Sequence, residues 1–81
     1  MTERICLAFP IEHDGVPIAE IGLRRPTVGD RLLVDKLTGL TDAEREVRLI
    51  ANLAELPPEA IMKLDLKDYN AIQKALTHFL S

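Results

Sequence analysis

Much that would point to chemistry is missing from this 81-residue sequence. There is one cysteine, Cys6, so no internal disulfide can form. Its place in an alternating apolar segment reads as a buried small hydrophobe suited to a reducing compartment. Aromatic residues are nearly absent: only Phe9, Tyr69 and Phe79. The core must therefore be aliphatic, built from Leu, Ile, Val and Ala, which favours helices packed with leucine. No apolar run approaches the ~18 to 20 residues that span a bilayer. The run after the N-terminus is short and contains Pro10, so neither a membrane span nor a recognisable secretion signal is expected. Positive charge is also scarce. Ten Lys and Arg against thirteen Asp and Glu give a net charge of −3. Such an interspersed, slightly acidic surface supplies no cationic field to neutralise a phosphate backbone, so no nucleic-acid partner is expected.

Candidate chemical groups are equally sparse. His13 lies at a turn and His78 on the polar side of the last helical segment, and neither has neighbours at metal-ligand or triad spacing. Asp30, Asp42, Glu44, Asp65 and Asp68 fall in first helical turns, where capping and the helix dipole account for them. The four glycines stand singly, without a dinucleotide fingerprint or phosphate loop. Arg24-Arg25, the only adjacent basic pair, reads as a solvated hairpin edge, with anion binding as the alternative. No catalytic residue, metal ligand or cofactor is assigned, and a chain this short leaves little core from which to carve a cleft.

The patterning predicts an α+β fold in a single domain over residues 1–81: an N-terminal β-hairpin followed by three to four helices in a small bundle. Residues 4–11 and 16–24 alternate with period two, and Asp14-Gly15 between them signals a hairpin. A two-residue Asp-Gly turn would set Leu7 opposite Gly22 and Phe9 opposite Glu20, splitting the apolar sets between two faces. A three-residue loop, His13-Asp14-Gly15, pairs Leu7 with Ile21 and Ile5 with Leu23 on one face, and is the expectation. Helices are expected over about 27–38, 41–56, 58–63 and 66–80. Thr27 with Asp30 and Thr41 with Glu44 form capping signals, Pro58 suits a first helical position, and Asp65 caps the last helix.

Helix faces are the informative part. In the last helix Leu66, Tyr69, Ile72, Leu76, Phe79 and Leu80 make one apolar stripe. The second helix carries two: Ala43, Val47, Ile50, Ala51 and Ala54 on one side, Leu49, Leu53 and Leu56 on the other. In the first, Val28 and Leu32 oppose Leu33, Leu37 and Leu40. Helices that want partners on two sides either lie in the middle of the domain or keep one stripe for another subunit or an apolar helix of a second protein.

Several motifs in order carry a resemblance. They are Pro10-Ile11-Glu12-His13-Asp14-Gly15, then Leu23-Arg24 and Pro26-Thr27-Val28-Gly29-Asp30, then Ala43-Glu44-Arg45-Glu46, Leu56-Pro57-Pro58-Glu59, Leu64-Asp65-Leu66, Asp68-Tyr69 and Phe79-Leu80. Together, from Ile5 to Leu80, they resemble the tail assembly chaperones of Mu-like contractile-tailed phages and prophages. Arg25 departs from the acidic or lysine residue usual at that position.

That resemblance implies a non-catalytic protein of the bacterial host cytoplasm, absent from the mature virion. It would bind the hydrophobic tape measure protein and keep it soluble while the tail tube assembles. A frameshift-extended form of the same chain is a further implied partner, and Phe79-Leu80 could be encoded by a slippery run of uridines. Joined to the helix faces, the resemblance makes Leu49, Leu53 and Leu56, with Leu33 and Leu37, the candidate partner-binding residues, and a homo-oligomer is the competing use of that surface. Two other readings stand beside it: a structural tail or baseplate component of the virion, and a small DNA-associated helical accessory protein.

Overall fold

Two strands and then four helices follow one another along the chain: β1 (Thr2–His13), β2 (Val16–Arg24), α1 (Val28–Asp35), α2 (Asp42–Ala54), α3 (Pro58–Ile61) and α4 (Leu66–Phe79). The computed structural model describes residues 2–81. The fold is the expected α+β arrangement of hairpin and helices.

The hairpin corrects the expected register. Its turn is the two-residue one, with Asp14 at φ 51° and Gly15 at φ 77°, flanked by the pair His13 and Val16. Two consecutive left-handed residues match the twist of the strands, and Asp-Gly is a sequence that tolerates them. Ile11 pairs with Ile18, but farther from the turn Cys6 pairs with Glu20 and Ile5 with Ile21. Four residues of β1, Leu7 to Pro10, thus stand against Ala19 alone, an excess of three. Because side chains alternate along a strand, an odd excess exchanges inward for outward positions. Leu7, Ile21 and Leu23 are buried while Phe9 is left half in solvent. The apolar sets share one face, as expected, through this bulge rather than through a longer loop. Cys6, expected inside, lies exposed on the outer face.

The bulge frees backbone amides from the ladder, and α4 supplies their acceptor. Asp68, 3% exposed, takes hydrogen bonds from Ala8 N at 2.8 Å and Phe9 N at 3.0 Å, one on each carboxylate oxygen. The buried face of α4 is therefore Asp68, Ile72, Ala75, Leu76 and Phe79, and Leu66 and Leu80 of the expected stripe are exposed.

The helices begin where their caps dictate. Thr27 and Asp30 form a full capping box at α1, as do Thr41 and Glu44 at α2; the Thr41 backbone N–H holds the Glu44 carboxyl below its ordinary pKa. Pro58 occupies the first turn of α3, and Asp65 accepts from Lys67 N at 2.9 Å. Helix α2 ends two residues earlier than expected. Glu55 turns left-handed at φ 56°, with Leu56 N bonded to Ala51 O at 3.0 Å and Glu55 N to Asn52 O at 3.3 Å. That bond pair is the Schellman closure, here without glycine.

The core cluster is aliphatic: Leu7, Ile21 and Leu23 of the hairpin meet Ile50, Ala51 and Leu53 of α2, Ile61 of α3, and Ile72, Ala75, Leu76 and Phe79 of α4. Helix α2 packs on β2, α1 and α3, and α4 packs on β1. Helix α1 packs along α2.

Candidate partner-binding surface

Helix α1 is fixed at its start by a charge rather than by apolar burial. Asp30 is buried and accepts from both terminal nitrogens of Arg24, at 2.8 and 2.7 Å, and from Thr27 N at 2.8 Å. The Arg24 fork, followed by the Thr27 amide, holds the Asp30 carboxyl well below the usual carboxylate range, and the same bond raises Arg24. Arg25 lies over the Phe79 ring, 5.7 Å from its centroid. Arg25 is exposed, as expected of a solvated hairpin edge, while the partly buried Arg24 is engaged by Asp30.

The inward face of α1 consists of Asp30, Val34 and, just beyond the helix, the half-buried Leu37. Its remaining large apolar residues face water: Val28 is 77% exposed, Leu32 55% and Leu33 58%. Side chains of this kind lose transfer free energy of about 1.5 to 3 kcal/mol each by staying wet. Three in one short helix form an apolar surface without an intramolecular partner.

Between this helix and α4 runs a groove of about 350 Å³, lined by Pro26, Thr27, Val28, Arg31, Leu49, Leu76 and Leu80. A recess of about 210 Å³ continues it past Val34, Asp35, Arg45 and Glu46, and shares Arg31, Leu49 and Leu76 with it. Leu49 and Leu76 thus line both parts. One wall is braced across helices: Tyr69 Oη donates to Glu46 Oε1 at 2.7 Å and Gln73 Nε2 to the same oxygen at 2.8 Å. Burial, reinforced by Glu46, pushes the Tyr69 hydroxyl above its ordinary pKa.

The five leucines named from the sequence do not form one surface. Leu33 is open on α1, and Leu49 is half-buried in the groove. Leu37 and Leu56 are half-buried, the latter packed against the core. Leu53 is 1% exposed and sits in the core cluster; in this fold it cannot present itself to a partner, because the hairpin already covers that side of α2. Beside them, Val28, Leu76 and Leu80 line the groove and Leu32 is exposed on α1. The sequence places Leu76 and Leu80 in the single apolar stripe of the last helix, and Val28 and Leu32 on the side of the first helix opposed to Leu33, Leu37 and Leu40.

A smaller recess of about 220 Å³ lies between α2 and α3, lined by residues including Leu40, Val47, Pro58 and the exposed Met62. Among the described residues no group of three His, Cys, Asp or Glu could hold a metal ion, and no helix is long and apolar enough to cross a membrane. His13 is occupied by neighbours, 3.4 Å from Lys63 Nζ and 3.5 Å from Asp14.

The arrangement is an aliphatic groove beside exposed apolar residues of α1, with the Arg31–Asp35 pair at its edge. Comparison with known proteins bears on its role. No curated protein and no solved structure matches the chain. Residues 4–81 match the family model described as phage tail assembly chaperone proteins, E, or 41 or 14. With nearly the whole sequence inside that match, the chain belongs to the phage tail assembly chaperone family.

Proposed function

We propose that this chaperone binds the tape measure protein through the groove between α1 and α4 and keeps that apolar, helical client soluble while the tail tube assembles around it. The observation that carries the reading is the aliphatic surface left in water at and beside the groove: Val28 and Leu80 line it, and Leu32 and Leu33 stand exposed on the same short helix. A soluble protein retains such surface where a partner covers it for part of the time. The groove's lining is Leu, Val and Pro with few charges, which suits the apolar stripe of a client helix. The action is binding alone, without a catalytic step, in the cytoplasm of the bacterial host, and the protein leaves before the virion is complete.

Co-expression with the tape measure protein tests the reading. A client that is insoluble alone should become soluble and co-purify with this chain. A client that stays insoluble, both with this chain and with any frameshift-extended form of it, overturns the proposal. Mass spectrometry of purified particles separates the chaperone from a structural tail or baseplate component, because the chaperone should be missing from them.

A further inference from the structure

We propose that two copies of this chain pair through the outer face of α1, helix against antiparallel helix about a two-fold axis beside Leu32. The result is a weak dimer held by that leucine and by two Arg31–Asp35 ion pairs between the copies. The inference stands apart from the client-binding reading, because Leu32 lines neither the groove nor its recess and filling the groove does not cover it.

At about 100° per residue, the side of α1 opposite the buried Asp30 and Val34 centres on Leu32. That side chain is 55% exposed. Arg31 and Asp35 follow one another along the flank nearer the groove, one turn apart. Their side chains are 79% and 53% exposed, with Nε and Oδ2 3.4 Å apart. Two antiparallel helices related by a two-fold axis bring the same flank of each together and reverse its order. With the axis level with Leu33, Arg31 faces the partner's Asp35, Asp35 faces the partner's Arg31, and Leu32 of each copy lies on the seam between them. A flank of one sign would repel its own copy. One cation and one anion a turn apart are complementary to their own reverse, which is what an isologous interface requires. A helix of eight residues is only about 12 Å long, so the contact falls well short of a standard interface. Association is therefore weak, with a dissociation constant on the order of 0.1 mM.

Sedimentation equilibrium of the full chain decides the matter. The protein should be mostly monomer near about 10 µM and mostly dimer near about 1 mM. Leu32→Asp should keep the native circular dichroism and stay monomeric throughout. A parent protein that is still monomeric at the upper concentration, or a folded Leu32→Asp that associates as the parent does, overturns the proposal. Charge exchange tests the pairing. Arg31→Glu and Asp35→Arg each set like charges against the second copy, and each alone should weaken association about tenfold. Both changes suit the helix dipole, so α1 is retained. Mixed in equal amounts, the two variants should associate with each other as strongly as the parent does with itself, because every pair across the axis then has opposite signs. Pairing within one helix cannot produce that recovery, since each variant carries like charges one turn apart. A mixture no more associated than its separate components overturns the antiparallel arrangement.

Discussion

Arg24 closes back on Asp30 across six residues and grips both carboxylate oxygens, at 2.8 and 2.7 Å, so that the last residue of the hairpin and the first turn of α1 are one rigid corner. The same carboxylate completes the capping box with Thr27. One side chain therefore fixes where the helix starts and the direction in which it leaves the sheet.

Asp30→Asn should remove about 2 to 3 kcal/mol at neutral pH, since it loses a charge-assisted fork and part of a cap. The pH dependence has a definite sign. The Asp30 carboxyl lies well below its ordinary value in the fold, so its contribution is complete above an unfolded-state pKa of about 4 and is lost as pH falls from there toward the folded value. Chemical denaturation between neutral and strongly acid pH should show a flatter acid limb for the variant than for the parent protein.

Asp68 is expected to be the most sensitive polar position in α4. Asp68→Ala strands the Ala8 and Phe9 amides of the bulge, and should lower stability by about 2 to 4 kcal/mol. Asp68→Asn keeps one acceptor and turns a donor toward the second amide, so it should fall between. Urea titration gives the magnitude, and loss of exchange protection confined to Ala8 and Phe9 would identify the bulge as the damaged site.

Glu55 occupies a left-handed position without being glycine. Glu55→Gly relieves that backbone and should raise stability by about 0.5 to 1 kcal/mol, against the usual direction of glycine substitutions. Thermal unfolding of the pair would read the sign; a loss on substitution would mean that the Glu55 side chain contributes more than the strain removes.

Leu33→Asp and Leu53→Asp separate surface from core within the leucines first grouped together. Leu53→Asp buries a carboxylate where no partner is available, and should unfold the protein or cost more than about 3 kcal/mol. Leu33→Asp should leave stability within about 0.5 kcal/mol and weaken client capture. Circular dichroism melts and co-purification measure the two effects side by side.

Much of this fold was legible because punctuation residues act locally. Thr27, Thr41, Pro58 and Asp65 set helix starts through bonds to their own neighbours, and those starts emerged as expected. The faces were harder. In α1 and α4 alike, the first inward position is an aspartate, Asp30 or Asp68, with apolar residues following at three- and four-residue spacing. A stripe traced by apolar residues alone passes over those carboxylates and rotates outward, toward Val28, Leu32, Leu66 and Leu80. Nothing near Asp68 in sequence announces its bond partners, sixty residues away in β1. The candidate surface was half visible for the same reason: Leu33 and Leu49 were named, while the division between open groove and closed core depends on which side of α2 the hairpin takes.

The three-residue excess in β1 also limits how this hairpin can change length. Remove two residues from the Leu7–Pro10 segment and a one-residue bulge remains, with Ile5 still opposite Ile21 and the same side of the ribbon toward the helices. Remove one, and the even excess restores the regular pleat through both strands, turning Cys6 and Glu20 inward and Ile5 and Ile21 out to water. Insertions obey the same arithmetic, so sequence length in this segment can drift only in steps of two.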